Sequence, residues 1–92
     1  MRDDHFEWDD AKAAINRVKH KVSFEQARAA FEDPFRIETV QEHDDETRLL
    51  LVATASGRVL AVVFTERRHR IRIISAREAN KHEEDDYFTT QR

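Results

Sequence analysis

The stretch that decides the fold runs from Leu49 to Phe64 and reads LLLVATASGRVLAVVF. Two β-prone runs flank Ser56-Gly57, which predicts a tight hairpin because glycine supplies the positive φ that such turns require. In this register Ala55 faces Arg58, and apolar residues occupy both faces of both strands. One face would carry Leu49, Leu51, Ala53, Leu60, Val62 and Phe64. The hairpin is therefore predicted to lie at the centre of a sheet that helices cover on at least one face.

Shorter segments extend this sheet on either side of the hairpin. Arg36 to Val40 is predicted to be a strand, and the acidic stretch Gln41 to Glu46 to be the turn that leads into Thr47 to Ala55. His5 to Trp8 is a candidate first strand. Arg70 to Ser75 alternates, which predicts one face with Arg70, Arg72 and Ile74 and an opposite face with Ile71, Ile73 and Ser75.

Helix caps and apolar periodicity predict three helices. Asp9 or Asp10 caps the first helix. Its apolar stripe is predicted to be Ala11, Ala14, Ile15 and Val18, opposite Lys12, Asn16 and Lys19. A capping box at Ser23 to Gln26 starts the second helix, which packs Phe24, Ala27 and Phe31 and stops at Asp33-Pro34. A further box at Ser75 to Glu78 predicts a last helix from Ala76 to about Phe88.

These elements predict an α+β fold in one domain, residues 1–92, because so short a chain has material for only one core. We expect the order β-α-α-β-β-β-α, with helices packed on an antiparallel sheet. The sequence has no cysteine, which excludes disulfides and thiolate zinc sites. Its N-terminus is charged and its apolar runs are short, so we expect a cytoplasmic protein with no membrane role.

The charges are segregated along the chain, although the net charge is only -3. Positions 58 to 77 hold six arginines and His69 against Glu66 alone, and the segment from Lys12 to Lys21 is basic with no acid. Acids cluster instead at Asp3 to Asp10, Glu38 to Glu46 and Glu83 to Asp86. This pattern predicts one phosphate-binding face and one acidic face. The alternative is that the charges neutralise one another across the surface.

RNA cleavage without a metal needs a base, an acid and cations that stabilise the phosphorane. The candidate cations are Arg67, Arg72 and Arg77, since a guanidinium binds two phosphate oxygens at once. His20, Lys19 and Lys12 are candidates to move protons, and Arg70 and Tyr87 to contact RNA. The histidines His5, His43, His69 and His82 lack metal-ligand spacing and are predicted to be solvated, so we expect neither a metal nor a cofactor.

Structural roles remain open for the same residues. Paired arginines on a strand often form surface salt bridges, and Glu83, Glu84, Asp85 and Asp86 offer partners. His20 lies at a helix end, where a cationic imidazole interacts favourably with the helix dipole. Trp8 is more readily explained as a core residue than as a platform for a base.

Segments spread over almost the whole chain resemble one protein family. They are Phe6-Glu7-Trp8-Asp9, Lys12, Asn16, Lys19-His20, Val22-Ser23-Phe24-Glu25, Asp33-Pro34, Arg58-Val59-Leu60, Thr65-Glu66-Arg67 and Ile71 to Arg77, with Ala79, Glu83 and Tyr87. The pattern is similar to that of the BrnT toxins. Its most specific part is Ile71 to Arg77 in combination with the opening Phe-Glu-Trp-Asp.

This resemblance implies a fold similar to RelE-type messenger-RNA interferases and a ribonuclease that inhibits translation and growth. It also implies a BrnA-like antitoxin that binds the toxin and contacts operator DNA through a ribbon-helix-helix domain, so this chain would meet DNA only indirectly. Carried over by position, the family's basic residues fall on Lys19, Arg67, Arg72 and Arg77, with His20 and Tyr87 as further contributors.

Two positions depart from the family pattern. Lys21 replaces a usual glycine, and lysine disfavours the positive φ of a tight turn. Glu84-Asp85-Asp86 replaces a stretch that is often basic, which leaves a second hypothesis: a non-catalytic module that keeps the fold and binds the antitoxin. A plain RNA-binding domain is less favoured because aromatic and basic residues are not interleaved.

Overall fold

The computed structural model describes residues 1–91 apart from the side chain of His43, and in this part of the chain it contains five strands and three helices. The elements are β1 (Phe6–Glu7), α1 (Asp10–His20), α2 (Phe24–Ala30), β2 (Ile37–His43), β3 (Glu46–Ala55), β4 (Arg58–Arg67), β5 (Arg70–Glu78) and α3 (Lys81–Thr90). The strands form one sheet in the order β1-β5-β4-β3-β2. The predicted α+β class is confirmed.

The central hairpin forms in the predicted register. Ala55 pairs with Arg58, and Leu51 pairs with Val62. One face of the hairpin, called here the inner face, packs against α2 through Phe24 and forms the main core. The opposite, outer face carries Val52 and Ala61, which are also buried. Strands β3 and β4 are therefore central, as the two-sided apolar pattern predicts.

Three predictions about the sheet are wrong. Four strands lie between α2 and α3 instead of three, since each of the four β-prone segments forms a strand of its own. The sheet is not wholly antiparallel, because β1 pairs in parallel with β5. The turn predicted at Gln41 to Glu46 consists only of Asp44-Asp45, both with positive φ, and β2 extends to His43. Aspartate tolerates this left-handed conformation, which a two-residue hairpin turn requires.

The last helix begins later than predicted. Strand β5 continues to Glu78 because β4 offers backbone partners as far as Leu60. Ser75 therefore lies within a strand and forms no capping box. The box forms instead at Asn80, whose side chain accepts from the N–H of Glu83 at 2.8 Å while the Glu83 carboxylate accepts from the N–H of Asn80 at 2.9 Å.

A β-bulge changes which side chains share a face of β5. Ser75 pairs with Val63 and Ile73 pairs with Phe64, so Ile74 is an extra residue between two successive pairs. The alternation beyond the bulge is shifted by one residue. Contrary to the sequence-based expectation, Ser75 lies on the outer face with Arg72, and Arg77 follows it there.

Helix α1 is rotated by half a turn from the predicted orientation. Asn16 is buried, whereas Ile15 and Val18 of the predicted core stripe are 65% and 75% exposed. The Asn16 amide donates to the carbonyls of Ala76 at 2.8 Å and Val22 at 2.9 Å and accepts from the N–H of Ala76 at 3.1 Å. Strand β1 is too short to pair with β5 at Ala76. The Asn16 amide instead provides the hydrogen-bond partners of the Ala76 backbone groups.

The connection between α1 and α2 keeps a left-handed turn despite the lysine. Lys21 has a φ of 60° and donates its N–H to the carbonyl of Arg17. The predicted capping box of α2 is confirmed, since the Gln26 N–H donates to Ser23 Oγ at 3.0 Å. Helix α2 ends at Ala30, before Asp33-Pro34. The strain at Lys21, about 1 kcal/mol for a left-handed residue other than glycine, is therefore tolerated.

Helix α3 is attached to the outer face of the hairpin by polar contacts. Arg77 donates to both carboxylate oxygens of Glu83, at 2.7 and 3.0 Å. The Tyr87 ring is buried, and its hydroxyl donates to Asp33 and accepts from Thr54 Oγ1 at 2.7 Å. Within residues 1–91, no helix has the length and apolar character to span a membrane.

The orientation of α1 predicts an unusual order of mutational effects. Asn16→Ala removes three bonds from buried backbone groups and is expected to lower the free energy of unfolding by about 3 kcal/mol. Val18→Ala, on the exposed side, is expected to change it by less than about 0.5 kcal/mol. Urea unfolding followed by circular dichroism measures both values, and the reverse order would contradict this orientation.

The Arg77–Glu83 pair predicts a loss of stability in acid. The bond from Arg77 holds the pKa of Glu83 below its ordinary 4.5 against the opposing effect of burial. The pair therefore stabilises the fold above that pH, and its contribution is lost as the pH falls. Between about pH 6 and 3 the parent is expected to lose stability more steeply than Glu83→Gln. Asp85→Asn, in an exposed pair with Lys81, is the control and should follow the parent.

Candidate active site

Along β5 the outer face of the sheet is open, because α3 covers this face only near Arg77 and Thr54. Three adjoining depressions run along this strand, between it, the N-terminal segment and α1. Arg67 and Arg72 line both the first and the second, and Lys12 and Ile74 line both the second and the third. We call the three together the β5 groove.

Arg67 and Arg72 form the middle of the groove. Arg67 is the last residue of β4, and Arg72 lies on β5 opposite Thr65 of β4. Arg67 is exposed, whereas the Arg72 side chain is 31% exposed and donates to Glu7 at 2.7 Å. Two guanidinium groups thus line one open depression, an arrangement suited to the oxygens of a phosphodiester.

Glu7 is the carboxylate beside these two arginines, and the sequence reasoning did not single it out. Strand β1 holds it beside Arg72 through the parallel pairing of the two residues, and its side chain is only 14% exposed. The bond from Arg72 holds the pKa of Glu7 below its ordinary 4.5 against the effect of burial, and the charges of Arg2 and Arg67 lower it further. Glu7 is therefore an ionised carboxylate inside a cluster of arginines. Its place in the opening Phe-Glu-Trp-Asp is the only signal that pointed to it.

Helix α1 contributes the other side of the groove. Lys12 lies in the first turn of the helix, where its N–H donates to the capping Asp9 at 3.0 Å. Lys19 and His20 lie two turns further, beside Ile74 and Ser75, in the third depression. The structure therefore brings together five of the residues singled out from the sequence: Arg67, Arg72, Lys12, Lys19 and His20.

Three other candidates lie outside the groove. Arg77 is bound by Glu83 and joins β5 to α3. Tyr87 lies on the buried side of α3, where burial and the bond to Asp33 raise its pKa. Arg70 pairs with Arg67 across the next turn and donates to the carbonyl of Asp3 at 2.7 Å.

The groove is strongly basic although the chain as a whole is acidic. Besides Glu7 and Glu46, its charged lining consists of Arg2, Lys12, Lys19, Arg48, Arg67, Arg68 and Arg72, with His20. A basic surface therefore exists, and carboxylates neutralise some of its arginines, as Glu7 does for Arg72 and Glu46 for Arg48. Such a surface attracts polyanions through its summed potential.

The described side chains contain no group of three or more histidine, aspartate or glutamate residues placed to hold a metal ion. The prediction that His43 is solvated lies outside the described side chains.

Comparison with known proteins identifies the family. A search of curated proteins finds no match to this chain. Residues 8–83 match the family model described as the ribonuclease toxin BrnT of type II toxin-antitoxin systems. This match covers most of the chain, including α1 and all of β5. The chain therefore belongs to the BrnT family of ribonuclease toxins.

Proposed function

We propose that this protein is a metal-independent endoribonuclease with a RelE-like fold and that the β5 groove is its active site. The observation that carries the proposal is the grouping of Arg67 and Arg72 with the carboxylate of Glu7 in one open depression. Cations and a proton acceptor are two of the three elements that phosphate-directed acid-base chemistry requires, the third being an acid for the leaving 5'-oxygen. Cleavage of cytoplasmic RNA would then inhibit translation and growth.

The arginines stabilise the charge that develops on phosphorus. A ribose 2'-oxygen attacks the adjacent phosphorus, and the bond to the leaving 5'-oxygen breaks. In the phosphorane between these steps the equatorial oxygens carry more negative charge than in the substrate. Arg67 and Arg72 bind these oxygens, so their interaction is strongest in the transition state. Lys12, on the facing helix, adds a positive charge to the second depression, which both arginines also line.

Proton transfer completes the reaction. Glu7 is ionised at neutral pH and accepts the proton of the 2'-hydroxyl. His20 or Lys19, in the third depression, protonates the leaving 5'-oxygen or binds the next phosphate. Arg70 extends the phosphate-binding surface beyond Arg67. We place Arg77 and Tyr87 outside the reaction, with roles in holding α3 on the sheet.

The proposed partner is a BrnA-like antitoxin with a ribbon-helix-helix domain. The family description names a type II system, in which an antitoxin protein binds the toxin. Contact with operator DNA would occur only through that antitoxin.

One feature favours a second candidate function, a non-catalytic module that binds the antitoxin. Two of the three arginines predicted to stabilise the phosphorane, Arg72 and Arg77, are paired with carboxylates. If Glu7 only neutralised Arg72, the groove would bind RNA weakly and would not cleave it.

The first test measures cleavage of purified RNA by the antitoxin-free protein in EDTA. The parent is expected to cut, and Arg72→Ala and Arg67→Ala to cut about 100-fold more slowly, since each removes one donor to the phosphorane. Arg67 is exposed, so Arg67→Ala should keep the fold intact. This variant is therefore informative even if Arg72→Ala lowers the stability of the fold by leaving Glu7 without its partner.

Arg36→Ala is the matched control. This arginine is exposed and precedes β2, at the far edge of the sheet, so its removal should leave the rate unchanged. No cleavage by the folded parent would instead support the non-catalytic module. Cleavage by the parent that EDTA abolishes would refute the metal-independent mechanism.

The second test concerns Glu7 and the dependence of kcat/KM on pH. Because Arg72 lowers the pKa of Glu7 below 4.5, the parent is expected to stay active down to that pH and to lose activity below it, as the carboxylate gains a proton. Glu7→Gln still accepts a bond from Arg72 but cannot take a proton, so its rate should fall about 100-fold and this acid limb should vanish.

Glu46→Gln is the control for Glu7, since Glu46 is the other carboxylate of the groove and pairs with Arg48 at 3.1 Å. Its rate and pH profile should match the parent. A Glu7→Gln protein with the parent's rate and acid limb would show that Glu7 does not act as the base.

A further inference from the structure

Helix α1 exposes an apolar stripe to solvent on the side opposite its buried face. The stripe consists of Ala11, Ala14, Ile15 and Val18, all exposed, at positions i, i+3, i+4 and i+7. This spacing places four apolar side chains on one line over two turns. The buried face is formed by Ala13, Asn16 and His20, so the stripe has no partner within the described part of the chain.

Cations border the stripe on both sides. Lys12 and Lys19 follow one flank and Arg17 the other, with Lys21 at the end of the helix. Between Ala11 and Lys21 the helix carries no acid. A surface with an apolar centre and cationic margins complements an amphipathic helix whose apolar face is bordered by Asp or Glu.

A second copy of this chain fits the stripe less well. Its acidic helix with an exposed large apolar residue is α3, where Phe88 is 50% exposed near Asp85 and Asp86. Docking of α3 from one copy onto α1 of the next would join two different surfaces. Among the described residues, α3 offers the four apolar side chains of the stripe only this one large exposed apolar residue, so the two surfaces match poorly.

We infer that the outer stripe of α1 is the surface on which the antitoxin of this type II system docks, through an acidic amphipathic helix. Ile15 belongs to the stripe and also lines the third depression of the β5 groove, together with Lys19 and His20. A helix docked on the stripe therefore covers one end of the groove. Neutralisation by occlusion of the groove follows, and this part of the inference rests on the proposed RNA cleavage.

The test uses the double variant Ala14→Glu/Val18→Ser. Both positions are exposed on the stripe, and neither lines the groove. The probe is the antitoxin encoded beside the toxin gene, identified by its complex with the parent. Titration calorimetry is expected to show about 100-fold weaker binding, because the substitutions remove an apolar anchor and place an acid against acidic flanks. In cells, the antitoxin should no longer restore growth to this variant.

Ala29→Glu/Val40→Ser is the matched control, with the same substitutions at exposed positions of α2 and β2, and it should bind like the parent. Cleavage of RNA by each free protein is measured in parallel and should be equal, which separates this inference from the proposed activity. Antitoxin binding by the stripe variant at the parent's affinity would overturn the inference. A concentration-dependent oligomer of the free parent would also overturn it, if the stripe variant lacks this oligomer and the control variant keeps it. A second copy would then occupy the stripe.

Discussion

The side-chain amide of Asn16 fixes the arrangement on which the rest of this structure depends. Strand β1 pairs with only two residues of β5, so the remaining edge of β5 needs another partner for its backbone groups. Asn16 supplies it by bonding both the N–H and the carbonyl of Ala76, and it also binds the carbonyl of Val22. Because the amide must point inward, Ile15 and Val18 point outward. One buried polar residue thus orients the helix, places Lys12 and Lys19 at the groove and leaves an apolar stripe free.

The groove itself depends on two features of strand pairing. The parallel pairing of β1 with β5 places Glu7 beside Arg72, and the bulge at Ile74 shifts the residues that follow it. Without the bulge, strict alternation would put Arg77 on the face opposite Arg72. With it, Arg77 reaches the outer face and binds Glu83 at the start of α3. The same strand therefore carries an arginine of the groove and an arginine that anchors a helix.

The distribution of carboxylates explains how a chain of net charge -3 presents a basic surface. In the acidic stretch of α3, Glu83 binds Arg77 and Asp85 binds Lys81, so these acids serve the attachment and surface of the helix. They do not line the groove. Glu7 differs, because it lies among arginines in an open depression and remains ionised there. Local arrangement, more than net charge, decides where a polyanion binds.

The sequence by itself determined the α+β class, the hairpin register around Ser56-Gly57, the cap of α2 and most cationic residues of the groove. These follow from local rules, since turn chemistry, capping and two-sided apolar runs act over a few residues. Only the tertiary structure decided the rotation of α1, the end of β5, the bulge at Ile74 and the meeting of Glu7 with Arg72. Each depends on backbone or charge partners far apart in the chain, as Asn16 and Ala76 are, and helical periodicity carries no information about them. Apolar periodicity predicted the wrong buried face because it takes no account of the three bonds that the Asn16 amide makes with backbone groups of Val22 and Ala76.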